Sequence, residues 1–146
     1  LKQQTLILWR QLDQRDNMET KLIEDRKDIE TFVKLFYDKA FKDDLIGFIF
    51  VDIVKLDLTS HMPKIVDFWE TILFDTPKYS GSPMDSHFAI NKLVPLKPEF
   101  FERWVFIFKQ TMDELFVGEL AEKAKTRANL IAILMQNKME NQNDKM

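Results

Sequence analysis

The hydrophobic positions of this chain recur at the spacing of a helix that buries one face. Residues three, four and seven positions apart fall on one side of an α-helix, because the helix repeats every 3.6 residues. The apolar positions of four such segments are Ile29, Phe32, Val33, Phe36, Ala40 and Phe41; Ile65, Phe68, Trp69, Ile72 and Leu73; Phe101, Trp104, Val105, Phe108, Met112, Leu115 and Phe116; and Ala121, Ala124, Ala128, Ile131, Ala132 and Met135. The pattern predicts an all-α fold built on four amphipathic helices.

Capping and breaking residues lie between these segments, where the helices are expected to begin and end. Asp28 is expected to cap the first helix, since its carboxylate can accept hydrogen bonds from the free amides of the first turn. Pro63 is tolerated only in the first turn of a helix, so the second helix should not begin much before Leu58. Pro98 suits the first position of the third helix, and Gly118 suits the left-handed residue that closes it. Three glycines and five prolines are too few turn residues for an all-β fold.

The chain length predicts one domain with one core, since 146 residues are enough for a sizeable hydrophobic core but not for two. We expect residues 1–17 to form an appended or loosely docked segment and residues 18–139 to form the domain. The polar residues 140–146 are expected to be a frayed tail. Residues 75–96 are expected to be irregular, apart from a short helical turn near 84–88.

Composition argues against several classes of function. The net charge is −3, and the 21 basic and 24 acidic residues are spread along the chain, which argues against nucleic acid as a partner. The absence of cysteine excludes disulfides, thiolate metal sites and cysteine nucleophiles. Charges interrupt every apolar stretch well short of the roughly 20 residues that span a membrane, and the first residues lack a signal-peptide cleavage site. We therefore expect a cytoplasmic protein without a membrane partner.

The two histidines, His61 and His87, are the candidates for binding a metal or cofactor. His61 lies at the start of a helix with an aromatic face, and His87 follows a turn-rich loop. A neutral imidazole presented to an aromatic cleft is what a haem iron requires. A zinc site would need three or four ligands, which two histidines without cysteine do not supply. A hydrolytic relay could be drawn from Ser86, His87 and Asp85, but neighbours in sequence seldom have that geometry.

Several motifs occur together along roughly residues 23–137. A tyrosine lies in the first apolar stripe, the two histidines are 26 positions apart, a Phe-Trp pair follows the first histidine, and Phe-Phe-x-x-Trp follows a proline. The segments that carry these motifs are 28–40, 44–50, 60–69, 79–87 and 98–104. In combination they resemble the truncated haemoglobins, and among these the group III bacterial globins.

The resemblance implies a truncated globin fold, in which a two-over-two helical sandwich surrounds haem b and its iron. His87 would be the proximal ligand of the iron. Tyr37, His61 and Trp104 would lie on the distal side and face the bound gas.

A haem is a large flat apolar ring with two carboxylates, so it needs a dry slot that is open at one edge. The candidates for the lining are Phe36, Phe50, Ile65, Phe68, Phe101, Trp104 and Phe108. Phe50 is the better match to the family's haem-packing phenylalanine, and Phe48 is the alternative. Lys64 lies one turn from His61 and is our candidate for contacting a propionate. The other basic residues considered for this contact are Lys78, Lys92 and Arg103.

The distal donors suggest how the protein would use its ligand. A hydrogen bond from Tyr37 or Trp104 to a ligand oxygen would slow release by roughly 1–2 kcal/mol. We therefore expect oxygen, nitric oxide or peroxide to be bound for scavenging, sensing or redox chemistry rather than for bulk oxygen transport. Redox turnover, dioxygenase-like or peroxidase-like, would need an electron-donating reductase. The alternative is a haem-free all-α interaction module whose aromatic stripes are only core.

Overall fold

Four long α-helices build the part of the chain that the computed structural model describes, which is residues 20–79, 81, 87, 90, 91, 93 and 95–145. The helices are α1 (Arg26–Lys42), α2 (Leu58–Phe74), α3 (Pro98–Leu115) and α4 (Glu119–Lys145), and a π-helical turn (Ile49–Ile53) lies between α1 and α2. These residues contain no β-strand, and extended pairing is limited to an isolated parallel bridge between Lys21 and Phe116. The predicted all-α fold is confirmed.

The first helix is capped by Asp25, so the prediction that Asp28 is the cap is wrong. The Asp25 carboxylate accepts a hydrogen bond from the Asp28 amide at 3.2 Å. Asp28 itself lies in the first turn and is buried, and its carboxylate accepts from Lys21 Nζ at 3.1 Å and from the Glu24 amide at 2.8 Å. Burial alone would raise the pKa of Asp28, but these hydrogen bonds outweigh it and lower the pKa below its usual value. Asp28 therefore ties the incoming chain to α1.

Two other predicted helix starts are confirmed, since α2 begins at Leu58 and α3 begins at Pro98. Helix α2 follows the cap residue Asp57, and Pro63 is its sixth residue, so the proline lies inside the helix and not in its first turn as expected. Pro98 is the first residue of α3, where its missing N–H costs no helical hydrogen bond.

The prediction that Gly118 closes α3 is wrong, because α3 ends at Leu115 with the extended cap residue Phe116. Gly118 instead has a φ of 101° and directly precedes α4. This left-handed backbone lets the chain reverse between the last two helices.

The last helix is longer than its apolar pattern indicates. We expected a frayed tail over 140–146, whereas α4 continues to Lys145, because no glycine or proline interrupts it. None of the helices in the described ranges is both long and apolar enough to cross a membrane. The predicted segment 1–17 and most of the predicted turn at 84–88 lie outside the described residues.

The helices pack as two pairs, one over the other. Helix α1 packs on α2 and on α3, and α4 packs on α3 and on α2. Phe108 is 1% exposed and lies at the centre, with its ring 4.7 Å from that of Phe32 and 5.0 Å from that of Trp69. The side of α4 that meets the core carries four buried alanines, Ala121, Ala124, Ala128 and Ala132. Small side chains let α4 approach its neighbours closely, which completes the two-over-two sandwich.

Candidate functional site

A cavity of about 310 Å³ lies between the four helices and the π-helical turn. This volume is at the lower end of the range for cofactor and small-molecule pockets. Its lining consists of Tyr37, Ile46, Ile49, Phe50, Val54, Leu56, His61, Lys64, Ile65, Phe68, Trp69, Tyr79, His87, Ile90, Leu96, Phe100, Phe101, Trp104, Ile131, Ala132 and Met135. Most of these side chains are aliphatic or aromatic, so the cavity suits a large apolar ligand with few polar contacts.

Both histidines line this cavity. His61 is the fourth residue of α2 and is exposed, which places it at the mouth. Its helical start is fixed by Asp57, whose carboxylate accepts from the Thr59 amide at 3.2 Å and from Ser60 Oγ at 2.8 Å. His87 is half-buried and helical. The structure therefore brings residues 26 positions apart in sequence to the wall of one cavity.

Tyr37 and Trp104 present polar hydrogens to the same cavity. Their rings share a neighbour, because the Phe36 ring lies 5.0 Å from Tyr37 and 5.7 Å from Trp104, edge-on to each. Among the described residues, neither the Tyr37 hydroxyl nor the Trp104 indole N–H makes a hydrogen bond. Burial raises the pKa of Tyr37 to about 12. Both groups are therefore protonated donors that have no acceptor among the described residues.

Two phenylalanines predicted to line the slot lie behind it instead. Phe36 and Phe108 are 2% and 1% exposed and are absent from the lining. The Phe108 ring lies 5.4 Å from Trp104 and 5.7 Å from Phe36. They occupy the interface of α1 and α3, so they support the two donors from behind. The other predicted lining residues, Phe50, Ile65, Phe68, Phe101 and Trp104, all line the cavity.

Charged residues differ in how they are placed around the mouth. Lys64 is exposed, lines the cavity and forms no ion pair with any described residue. Arg103 is engaged elsewhere, since its Nη2 lies 2.7 Å from Asp43 Oδ1. Lys78 does not line the cavity, and Lys92 lies outside the described residues. Lys64 is therefore the basic residue best placed for an anionic group at the cavity edge.

The loop after α2 turns back over the cavity and adds Tyr79, which the sequence analysis missed. Asp75 ends the helix with a φ of 54°. Thr71 Oγ1 then accepts hydrogen bonds from the amides of Lys78 at 3.1 Å and Tyr79 at 3.0 Å. As a result, the Tyr79 ring packs edge-on against Phe68 at 5.4 Å. Apolar periodicity in the sequence could not identify Tyr79, because a hydrogen bond in the loop, and not a helical repeat, brings it to the cavity.

The segment that carries His87 is closed by a buried amide. Asn91, four residues after His87 in the sequence, is 2% exposed, and its Oδ1 accepts a hydrogen bond from the Leu96 amide at 2.7 Å. Leu96 is buried and lines the cavity. This bond holds the end of the His87 segment close to the start of α3.

Helix α4 adds further lining residues that the pattern could not distinguish from core. Ile131, Ala132 and Met135 belong to its predicted apolar stripe, and the cavity lies against them. Periodicity indicates that these positions are buried, but it does not indicate whether they face another helix or a space between helices.

Comparison with known proteins agrees with this geometry. No family model matches the chain. The chain is 30% identical over 115 residues to the group 3 truncated hemoglobin ctb of Campylobacter jejuni subsp. jejuni serotype O:2, with 77% of this chain and 88% of that protein covered. The crystal structure of a group III truncated hemoglobin from Campylobacter jejuni superposes with a TM-score of 0.73 at 27% identity, covering 82% of this chain and 94% of that chain. The resemblance inferred from the motifs is therefore confirmed, and this chain belongs to the group 3 truncated haemoglobin family.

Proposed function

We propose that the cavity holds haem b, with His87 as the proximal ligand of the iron and with Tyr37, His61 and Trp104 facing a small gas ligand. One observation carries this proposal. Two histidines and two aromatic donors without acceptors among the described residues converge on a single apolar cavity.

The residues present fit haem better than a metal ion held by protein ligands alone. The described residues contain no group of three or more histidine, aspartate or glutamate side chains that could hold a metal ion. A porphyrin brings four nitrogen ligands of its own, so the protein needs to supply only axial imidazole. The apolar lining suits the ring, and Lys64 at the mouth suits a propionate.

The donors determine how long a ligand stays. When bound, haem supplies an iron with an open side for oxygen, nitric oxide or peroxide. Because the pKa of Tyr37 is about 12, its hydroxyl is a donor at every physiological pH, and the indole N–H of Trp104 does not titrate in this range. Each hydrogen bond of about 1 kcal/mol would slow oxygen release roughly fivefold. This favours retention for scavenging, sensing or redox chemistry over transport, and a redox role would draw electrons from a reductase.

Reconstitution with haemin tests the cofactor and its ligand. The wild-type chain should develop a Soret band at one haem per chain. His87→Gly should lose haem to an apomyoglobin acceptor within minutes, and free imidazole should restore retention by occupying the vacated position. His61→Ala is the matched control and should retain haem. The absence of a Soret band in wild type would support a haem-free module. Loss of haem from His61→Ala but not from His87→Gly would mean that His61 is the proximal ligand and that His87 lies on the distal side.

Oxygen dissociation tests the distal donors. Tyr37→Phe and Trp104→Phe should each release oxygen about fivefold faster in stopped-flow measurements, which corresponds to one hydrogen bond. Because both donors would share one ligand, the double variant should not show the product of the two single effects. Rates that match wild type in all three variants would contradict the distal assignment.

A further inference from the structure

A buried carboxylate joins the two walls of the cavity that carry the distal donors. Asp43 follows α1 directly, and its side chain is only 5% exposed. Its Oδ1 accepts from Arg103 Nε at 2.8 Å and from Nη2 at 2.7 Å. Its Oδ2 accepts from the amides of Leu45 and Ile46, both at 3.1 Å. The carboxylate is therefore saturated by one guanidinium and by the turn that follows α1.

The turn on the Asp43 side leads to the wall that contacts Tyr37. Ile46 and the following Ile49 and Phe50 line the cavity. The Phe50 ring lies 5.8 Å from that of Tyr37, perpendicular to it. Any change in the position of this turn would therefore move residues that contact the tyrosine donor.

Gly47 shows how closely this turn lies against α1. A Cβ at Gly47 would lie 2.6 Å from the carbonyl oxygen of Phe41, which is too short for real carbon atoms. The Gly47 amide also donates to the Asp43 carbonyl at 2.9 Å. The turn thus has little freedom to shift on α1 while Asp43 holds it.

Arg103, on the opposite wall, directly precedes Trp104 on α3. Its guanidinium also stacks on Phe106, with Cζ 5.1 Å from the ring centroid. A second link joins the same two walls, because Phe48 of the turn lies edge-on to Phe100 of α3 at 5.8 Å. The ion pair therefore connects the phenylalanine wall beside Tyr37 to the helix that carries Trp104.

From this connection we propose that Asp43 and Arg103 are positioning residues, which set the separation between the Tyr37 hydroxyl and the Trp104 indole N–H across the ligand site. This inference rests on the proposed function, because the shared ligand is a gas bound in the haem cavity. A hydrogen bond weakens steeply when its length or angle departs from the optimum. Two donors aimed at one small ligand therefore depend on a fixed distance between their helices.

The ion pair is well suited to this role because it is partly buried and because two guanidinium nitrogens of Arg103, Nε and Nη2, bond the same Asp43 oxygen. Burial alone would raise the pKa of Asp43, but the hydrogen bonds from Arg103 and the two amides outweigh it and lower the pKa. The carboxylate thus stays charged and bonded at physiological pH. Exposed ion pairs are weaker and hold geometry less firmly. Lys39 and Glu114 form such a pair, which also joins α1 to α3 at 2.6 Å. Within the described residues, no hydrogen bond ties this pair to the cavity-lining turn, whereas Asp43 bonds the amide of Ile46 in that turn.

Arg103→Met tests the proposal, because it removes the charge while it keeps an unbranched apolar stem. In the haem-reconstituted chain it should speed oxygen dissociation about fivefold and shift the stretching frequency of bound carbon monoxide, which reports on nearby donors. Lys39→Met is the matched control, since it removes the other ion pair between the same helices, and it should leave both values as in wild type. Equal rates and frequencies in wild type and Arg103→Met would overturn the proposal, as would equal changes in the two variants.

A second measurement separates this inference from the haem proposal. The indole ¹⁵N–¹H resonance of Trp104, identified by its loss in Trp104→Phe, can be recorded on the chain as purified, with or without haem. It should shift or broaden in Arg103→Met and remain unchanged in Lys39→Met. If wild type failed to bind haem, the cofactor proposal would fall, but this resonance would still test whether the Asp43–Arg103 ion pair positions Trp104. An unchanged resonance in Arg103→Met would overturn the positioning role of the ion pair.

Discussion

Replacing Tyr37 by phenylalanine should make the folded protein less sensitive to alkaline pH. Tyr37 is half-buried and lines the cavity, and the burial of its phenol raises its pKa from 10.0 to about 12. In the unfolded chain the same phenol ionises near its ordinary value. Between these two values the unfolded state has lost a proton that the folded state retains, so rising pH favours unfolding.

The size of this effect follows from the two pKa values. Below pH 10 both states are protonated, and the group adds no pH dependence. As pH rises from 10.0 to about 12, the free energy of unfolding should fall by roughly 3 kcal/mol, and above that range this contribution levels off. Because the hydroxyl makes no hydrogen bond with the described residues, Tyr37→Phe should change stability at neutral pH by less than about 1 kcal/mol.

Urea unfolding followed by circular dichroism at a series of alkaline pH values measures this dependence. Lysine ionisation contributes equally to all variants, so the difference between wild type and Tyr37→Phe isolates the phenol. Parallel declines in wild type and Tyr37→Phe would refute the burial argument.

The remaining predictions concern packing, backbone and acid stability. Phe108→Ala should lower the free energy of unfolding, measured in urea, by roughly 3–5 kcal/mol because it opens a cavity among buried rings. Phe106→Ala removes a residue that is 53% exposed and should lower it far less, so similar losses in the two variants would contradict this packing. Gly118→Ala should lower the free energy of unfolding by about 1–2 kcal/mol, because φ at this position is 101° and the new Cβ would lie 2.5 Å from Leu22 Cδ2. An unchanged Tm would contradict this backbone conformation at Gly118. Folding lowers the pKa of the Asp28 carboxyl. The stability that the ionised carboxylate adds is therefore present above its pKa in the unfolded chain and is lost as pH falls through its pKa in the folded protein. Asp28→Asn should flatten the acid side of a plot of Tm against pH, and an unaltered acid side would contradict a stabilising role for this carboxylate.

The sequence by itself determined the helices and supplied the candidate residues of the site. Apolar spacing defined the four helices because a buried face must recur with the helical period. Pro98 and Gly118 marked boundaries because each restricts or permits a particular backbone angle. The motif combination identified the family, and with it the candidates Tyr37, His61 and His87. These inferences depend on local constraints or on residue identity, which a linear sequence contains.

Only the tertiary structure decided which buried residues border the cavity. Phe36 and Tyr37 are neighbours in sequence, yet Phe36 lies in the helix interface while Tyr37 lines the cavity. Met135 and Tyr79 join the lining because α4 packs across α2 and because a threonine side chain turns the loop back. Periodicity reports that a face is buried, but the boundary between core and cavity depends on the distances between helices. Those distances are set by contacts between residues far apart in the chain, so they are absent from any local pattern.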